Sequence, residues 1–310
     1  MITKRVDAIT KILPSHKGTI IPAPRSVKLD LTARCDLKCF FCASSQKLRK
    51  KGDMDFAFVE RVLREMRPLG VREIGMFFLG ESLLYPRLAD AIRLAKEIGY
   101  EYVFLTTNGR ALSQEKAHDI MAAGLDSLKF SFNAADRVSY QEATSVDAFD
   151  TVVANIKNAR IVRDHILAST GHKCGLYASS IWYDDTQEAK MEDALGSIRS
   201  SLDEHYWLPL YNQAGYTTGA KGTRATAPGN PGRMGALRAS LPCWVLFMEG
   251  HITWDGMLTG CCFSHESAWD FGDLNKMSFM EAWNSDAAQL LRKHNLNKDV
   301  RGTACERCIY

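Results

Sequence analysis

Short apolar runs alternate with amphipathic segments between residues 26 and 210 of the chain. The apolar runs predict six strands, at residues 26–32, 73–79, 102–107, 127–132, 175–183 and 205–210. The amphipathic segments predict helices at about 55–67, 86–98, 113–123, 148–166 and 186–201, with helix-starting residues such as Asp55, Ser113 and Thr186. This alternation is typical of βα units around a parallel sheet. Because six units are too few for a closed eight-stranded barrel, we expect an α/β fold built on a partial (β/α)6 TIM-like barrel.

The alternation ends after residue 210. Residues 211–240 are rich in Gly, Ala, Thr and Pro and lack sustained periodicity, which indicates either a plain linker or a loop that covers substrate. Residues 241–310 then hold five of the nine cysteines and predict a small C-terminal domain. The expected organisation is therefore an N-terminal extension (1–25), a barrel (26–210), a linker or substrate loop (211–240) and a cysteine-rich domain (241–310).

The charge balance argues against a polyanionic partner. The chain has 39 basic and 36 acidic residues and a formal net charge of +3, so neither nucleic acid nor a membrane surface is expected as a main partner. The longest basic cluster, residues 47–51, is predicted to be a solvated loop, with docking of an acidic protein as the alternative. We see no secretory signal and no apolar stretch near the ~20 residues that a membrane span needs. These features predict a cytoplasmic protein.

Three of the cysteines are crowded together as Cys35, Cys39 and Cys42 in the segment CDLKCFFC. An odd number of cysteines without an export signal favours metal or redox chemistry over disulfides. On a helix, this spacing would put the three thiols on one face, where they could be simple core residues. The segment follows a strand directly, however, and such loops are where βα folds place their chemistry. Three thiolates can hold three irons of a [4Fe-4S] cluster and leave the fourth iron open.

The pattern Cys-x3-Cys-x2-Cys after a first strand, with the aromatic Phe41 before the last cysteine, resembles the motif of the radical S-adenosylmethionine (radical SAM) superfamily. The resemblance implies that the amino and carboxylate groups of S-adenosyl-L-methionine chelate the fourth iron. It also implies that the reduced cluster cleaves this cofactor to methionine and a 5'-deoxyadenosyl radical.

The ends of the next three predicted strands also resemble this superfamily. LGES (79–82) matches its Gly-Gly-Glu element except at Leu79, so Gly80 and Glu81 are candidates to hold the methionine ammonium. TTNG (106–109) makes Asn108 a further cofactor-binding candidate. Taken alone, Glu81 or Asn108 at a strand end could equally be a cap or turn residue.

The fourth strand ends in SFN, residues 131–133. By the same resemblance, Ser131 and Asn133 are candidates for polar contacts to the ribose or the carboxylate of the cofactor. Some members of the superfamily carry an arginine about thirteen residues after this serine, where this chain has Thr144.

The C-terminal cysteines form a second candidate metal set. Cys243, Cys261, Cys305 and Cys308 could ligate zinc as readily as an iron-sulfur cluster. The segments around them, PCW (242–244), WDG (254–256), FGDL (271–274) and EAWNS (281–285), resemble the SPASM/twitch extension of radical SAM enzymes. The full SPASM form carries more cysteines and two extra clusters, whereas this sequence stops two residues after its last cysteine. The resemblance implies one auxiliary [4Fe-4S] cluster of the twitch type, and two clusters in all.

Cys262 follows the predicted cluster ligand Cys261 directly and is not itself needed as a ligand. It is either a small buried residue or a catalytic thiol that gives a hydrogen atom to a substrate radical.

The resemblance implies hydrogen abstraction from a C–H bond, followed by oxidation, epimerisation or bond formation within a peptide. Peptide-modifying members often carry an extra domain that binds a leader peptide, and the ~25 residues before the first strand leave no room for one. We therefore expect a small hydroxylated substrate, a sugar or aminocyclitol, and favour oxidation over epimerisation by Cys262. The electron donor is expected to resemble flavodoxin or ferredoxin. A peptide-modifying maturase and a zinc-stabilised binding protein stay open as alternatives.

Overall fold

A computed structural model describes residues 1–46, 48–217 and 222–310. Lys47 of the basic cluster and residues 218–221 of the predicted linker lie outside the described residues. The strands are β1 (Ser26–Leu29), β2 (Glu73–Gly75), β3 (Tyr102–Thr107), β4 (Ser127–Ser131), β5 (Gly175–Trp182), β6 (Glu204–Pro209), β7 (Glu249–Ile252), β8 (Met257–Thr259) and β9 (Asp270–Asp273). The helices are α1 (Ile2–Ile9), α2 (Phe56–Met66), α3 (Leu88–Ile98), α4 (Gln114–Ala122), α5 (Arg137–Thr144), α6 (Phe149–Thr170), α7 (Gln187–Ile198), α8 (Val245–Met248), α9 (Phe279–Trp283), α10 (Asp286–Leu296) and α11 (Glu306–Ile309).

The strands form one sheet in the order β6-β5-β4-β3-β2-β1-β7-β8-β9. Strands β1 to β6 pair in parallel with their neighbours in the chain, and α2, α3, α4, α6 and α7 connect them. The sheet ends at β6 and β9 and does not close on itself within the described residues. The predicted α/β fold with a partial (β/α)6 barrel is confirmed.

The C-terminal region continues the barrel sheet. Strand β7 pairs with β1 in parallel, with Ser26 opposite Glu249 and Leu29 opposite Ile252. Strands β8 and β9 then add to β7 in antiparallel fashion. The two cysteine-rich regions are therefore connected by a shared sheet.

All three predicted helix-start residues occupy N-cap positions of barrel helices. The side chains of Asp55 and Ser113 accept hydrogen bonds from the backbone N–H groups of Phe58 and Lys116, as expected of N-caps. Thr186 is the N-cap residue of α7, as predicted, but its side chain makes no capping hydrogen bond and its hydroxyl donates to Asp184 Oδ1 instead.

Helix α1 lies at the amino end of the barrel, within the segment predicted only as an N-terminal extension. Arg5 forms an ion pair with Glu73 at the start of β2, and Arg233 holds Asp7 with contacts of 2.7 and 2.9 Å. The apolar side chains of Ile2, Val6 and Ile9 face the barrel interior. None of the described helices combines the length and the apolar character that crossing a bilayer requires.

Candidate active site

The predicted cofactor residues meet around one cavity of about 300 Å³ at the carboxyl ends of the barrel strands, which we name the first cavity. Each predicted residue of this set lines it: Cys35, Cys39, Phe41, Cys42, Gly80, Glu81, Asn108, Ser131 and Asn133. The carboxyl ends of parallel strands share one edge, so residues distant in the chain converge there. Their individual roles stay predictions.

The cysteine segment is a loop, so the helical-face alternative is wrong. Its backbone is held by α5, because the N–H groups of Lys38 and Phe40 donate to Thr144 O and Ala143 O at 3.0 and 3.1 Å. On the other side, Gln213 donates to Phe41 O at 2.7 Å and accepts from the N–H of Ala43 at 2.9 Å. These contacts fix the loop from two directions.

The thiols of this loop suit iron ligation. Burial raises the pKa of Cys35 to about 12 and raises the pKa values of Cys39 and Cys42 as well, so the groups are neutral without a cation beside them. Ligation requires thiolates, which positively charged irons stabilise. No group of three His, Cys, Asp or Glu side chains in the described parts of the chain is placed to hold a metal ion. An iron-sulfur cluster differs from such a site because each of its cysteines binds a different iron.

Gly80 lies directly against the backbone that leads into the cysteine loop. A Cβ atom at this position would sit 2.0 Å from Thr32 O and 2.7 Å from Arg34 O. The close approach brings the Glu81 N–H to Arg34 O at 2.8 Å. Only a glycine permits the end of β2 to pack so tightly on the end of β1.

Glu81 is buried and already accepts three hydrogen bonds. Oε1 accepts from Leu83 N at 3.1 Å and from the Thr107 hydroxyl at 2.7 Å, while Oε2 accepts from Asn108 N at 2.8 Å. Burial raises the pKa of its carboxyl group to about 7. The cap function left open by the sequence is thus present, and contact with the methionine ammonium stays a prediction.

Asn108, Ser131 and Asn133 differ in how far they are tied to the protein. The Asn108 amide donates to Asp36 Oδ1 at 2.8 Å and thereby links the end of β3 to the cysteine loop. Asn133 Oδ1 accepts from Ile181 N at 2.8 Å. Ser131 lines the first cavity together with Thr144, which stands where some family members have arginine.

The four predicted C-terminal ligands surround a narrow cavity of their own. Cys243, Cys261, Cys305 and Cys308 line it together with Cys262. Burial raises the pKa values of all four predicted ligands. Two of the sulfurs accept backbone hydrogen bonds, Cys308 from Gly229 at 3.1 Å and Cys261 from Phe263 at 3.4 Å. Such donors stabilise thiolates on iron, so this donor set fits an iron-sulfur cluster.

A second cavity of about 280 Å³ lies inside the barrel. It adjoins the first cavity, because Phe77, Phe78, Thr106, Lys129 and Leu208 line both. It also adjoins the cavity of the C-terminal cysteines, with Asn230, Cys262 and Phe263 as shared residues. The Asn230 amide donates to Cys262 Sγ at 3.4 Å. Cys262 therefore faces the interior of the barrel, and its catalytic role stays a prediction.

A group of buried polar residues beside the second cavity was not predicted from the sequence. Lys28 Nζ donates to Glu249 Oε2 at 2.7 Å, and His251 Nε2 lies 3.1 Å from the same oxygen. Burial alone would raise the pKa of Glu249, but the charge of Lys28 and the adjacent His251 imidazole hold it at about 2. Burial lowers the pKa of His251. The signal in the sequence was a charged residue inside β1, Lys28, and another at the start of β7, Glu249.

Comparisons with known proteins agree with both cysteine regions. A family model for the radical SAM superfamily matches residues 29–169, and a model for SPASM, an iron-sulfur cluster-binding domain, matches residues 243–309. The chain therefore contains a radical SAM domain and a SPASM domain. Each match encloses one of the two cysteine sets, so the expected cofactors, S-adenosylmethionine and [4Fe-4S] clusters, are confirmed.

The proteins similar to this chain match different fractions of its length. A probable GTP 3',8-cyclase of Saccharolobus solfataricus is 35% identical over 139 residues, which are 43% of this chain and 42% of that protein. The chain thus matches less than half the length of this curated relative. BtrN in complex with AdoMet and 2-DOIA has a TM-score of 0.55 at 15% identity, covering 88% of this chain and 87% of BtrN. SuiB of Streptococcus suis, bound to the precursor peptide SuiA, has a TM-score of 0.65 at 16% identity, covering 87% and 66%. At these identities the two structures show a common fold alone.

Proposed function

We propose that this radical SAM enzyme abstracts a hydrogen atom from a C–H bond of a small hydroxylated substrate, a sugar or an aminocyclitol, and oxidises it. The observation that carries the proposal is the position of the second cavity, which adjoins both the first cavity and the C-terminal cysteines. A substrate in this cavity would lie between the residues predicted to hold S-adenosylmethionine and those predicted to hold the auxiliary cluster.

The size and lining of the second cavity support a small substrate. A volume of about 280 Å³ is near the lower end of the range for ligand sites. Aromatic side chains such as Phe77, Phe104 and Trp244 line it together with a few charged groups, and α1 lies at its amino end. Such a lining orients a polar substrate and limits the access of water to it.

The bound groups would supply the redox chemistry. S-adenosylmethionine and a cluster at Cys35, Cys39 and Cys42 would supply the abstracting radical. A cluster held by four cysteines would accept one electron from the substrate radical, and the accompanying proton would pass to solvent. The protein's own role is to hold the reacting C–H bond of the substrate at the junction of the two cavities, near Thr106 and Lys129.

Epimerisation is a second candidate because Cys262 lines the second cavity. A thiol there could return a hydrogen atom to the opposite face of a substrate radical, with no net change in oxidation state. The cysteinyl radical formed in this step needs one electron and one proton from the external donor system before the next turnover.

Product mass separates the two outcomes. Candidate sugars are incubated with the anaerobically reconstituted enzyme in deuterated water, and the product is analysed by mass spectrometry. Oxidation removes two mass units, whereas epimerisation adds solvent deuterium and leaves the skeleton unchanged. Cys262→Ala abolishes only epimerisation, and Cys174→Ala, which removes a buried thiol elsewhere in the core, serves as the matched control. Abstraction is excluded for a given substrate if its deuterated form transfers no deuterium to 5'-deoxyadenosine.

The remaining alternatives have their own tests. The names of the curated relatives point to GTP cyclisation, but the match covers less than half of this chain, so GTP belongs in the substrate panel. A precursor peptide is the ligand named for SuiB, and peptide modification would appear as an altered peptide mass. A variant lacking Cys35, Cys39 and Cys42 should retain roughly four irons, whereas zinc without iron would support the binding-protein alternative. A flavodoxin- or ferredoxin-type donor and a cytoplasmic location complete the proposal.

A further inference from the structure

Lys129 is a cation at the junction of the two cavities. It lies on β4 and lines both cavities. Its Nζ donates to the Tyr206 hydroxyl at 3.2 Å and lies 5.7 Å from the centre of that ring. Among the described residues, Tyr206 lines the second cavity and not the first. The ammonium group is therefore drawn toward the second cavity.

The other charged groups of the second cavity are paired within the protein. Lys28 forms an ion pair with Glu249, and Arg5 forms one with Glu73. In the described residues, no carboxylate lies within 4.0 Å of Lys129 Nζ. The cavity consequently carries one cation that the protein leaves uncompensated, and a half-buried cation of this kind is stabilised by a ligand that brings negative charge.

Glu249 contributes an acceptor for a polar ligand. The residue is 1% exposed, and its Oε1 atom has no hydrogen-bond partner in the residues that the structure describes. A buried carboxylate oxygen without a donor is costly, and a ligand hydroxyl would satisfy it. The cavity thus combines an unpaired cation with an unpaired acceptor.

We propose that the second cavity binds a hydroxylated substrate that also carries an anionic group, a carboxylate or a phosphate. Lys129 binds the anionic group, and Glu249 accepts a hydrogen bond from a hydroxyl group. This inference rests on the proposed function and narrows its substrate class to acidic or phosphorylated sugars, ahead of neutral sugars and aminocyclitols.

Binding of defined probes tests the proposal without any turnover. Glucuronate, glucose 6-phosphate and glucose are titrated into the anaerobically reconstituted enzyme with S-adenosylmethionine present, by calorimetry. At least one anionic probe should bind roughly tenfold more tightly than glucose, as a charged hydrogen bond implies. Lys129→Met should remove this preference and Lys129→Arg should keep part of it. Lys157→Met, which removes an exposed lysine of α6, should leave the preference intact.

Several results would overturn this inference. They are a common affinity for all three probes, a preference that survives in Lys129→Met, and a loss of S-adenosylmethionine affinity in that variant without a change in probe preference. The last result would assign Lys129 to the cofactor. A preference for anionic probes together with neither oxidised nor epimerised product would leave the inference standing and reject the proposed function.

Discussion

At the residue scale, Gln213 shows how one side chain can organise both ends of the active site. Its amide contacts Phe41 O and Ala43 N in the first cysteine loop, and its Oε1 lies 3.1 Å from His265 Nε2 in the C-terminal region. The backbone at Gln213 adopts a φ of 47°, which a residue other than glycine accepts only when its surroundings compensate. The contacts of its amide supply that compensation.

Gln213→Ala should therefore loosen the first cysteine loop. The loss of the amide hydrogen bonds should cost about 2 to 3 kcal/mol in the free energy of unfolding. We expect fewer irons per chain and a weaker electron paramagnetic resonance signal from the reduced first cluster. Gln289→Ala, which removes a side-chain hydrogen bond from α10 to Asn284 O, is the matched control. Full iron content in Gln213→Ala would show that the loop holds its shape alone.

Gly80→Ala should disrupt cofactor binding for a steric reason. Its Cβ would meet two backbone carbonyl oxygens, which cannot rotate away, so the end of β2 must move from the cysteine loop. We expect S-adenosylmethionine affinity to fall by tenfold or more in equilibrium dialysis. Gly196→Ala on α7 meets nothing within 4 Å and should raise stability by up to about 1 kcal/mol. Equal affinity in the two variants would contradict this account.

The sequence predicted these two residues unequally. Gly80 belongs to a short motif behind a strand, so local pattern was sufficient to find it. The partners of Gln213 in the cysteine loop are separated from it by about 170 positions, and no local pattern signals such a contact. Lys129 was missed for a related reason, because its significance depends on which charges lie beside it in space.

At the element scale, Asp30 explains why β2 is shorter than predicted. Its Oδ1 accepts hydrogen bonds from Leu79 N at 3.1 Å and Gly80 N at 3.2 Å. Because of these bonds, the residues after β2 no longer pair with a neighbouring strand, and the chain turns toward the first cavity. The apolar pattern of residues 73–79 could not reveal this, since the residues stay buried or half-buried after the strand ends.

Asp30 also predicts a pH dependence of stability. The residue is 1% exposed, and burial raises the pKa of its carboxyl group from 3.8 to about 7, with Asp255 as the neighbouring carboxylate. Because the folded pKa is raised, the ionised carboxylate destabilises the fold as pH rises from about 4 to 7, and the penalty is constant above pH 7. The melting temperature of Asp30→Asn relative to wild type should rise from pH 5.5 to 7 and then stay level. A difference that is flat over this range would mean that Asp30 ionises normally.

Helices α1 and α5 were not predicted from the sequence, for different reasons. Helix α5 is short and mostly polar, although its Asp136–Ser139 capping box was a readable signal. Helix α1 depends on distant partners, since Arg233 and Glu73 hold it in place. In the basic cluster, Lys50 and Lys51 are exposed in a loop, as expected, whereas Arg49 pairs with Asp270 at 2.6 Å. Lys47 lies outside the described residues.

At the scale of the whole molecule, the sheet and its buried charges join the barrel to the C-terminal region. The ion pair between Lys28 and Glu249 spans the β1–β7 contact. Sequence analysis placed a boundary near residues 211–240, which stays a prediction. It could not foresee that β7 returns to pair with the first strand, because parallel pairing leaves no signature in the intervening residues.

Glu249→Gln should be strongly destabilising, since it leaves Lys28 without a counter-ion in a buried site. We expect a loss of about 3 kcal/mol in the free energy of unfolding, and recovery of much of it in the double variant Lys28→Met/Glu249→Met. Glu60→Gln, which breaks the exposed pair with Arg64 on α2, should cost less than about 1 kcal/mol. Denaturant unfolding of the reconstituted protein measures all three. A double variant that is no more stable than Glu249→Gln would show that the loss does not come from the unpaired charge of Lys28.

The pairing of β1 with β7 also orders events during synthesis. Strand β1 is made early, but its second neighbour emerges from the ribosome roughly two hundred residues later, on the order of ten to forty seconds at ordinary elongation rates. Until then one edge of β1, and the cysteine loop directly behind it, lacks part of its native support. Iron delivered to the nascent chain would meet an incomplete site, so cofactor loading belongs after translation, when the last quarter of the polypeptide has closed against the first strand.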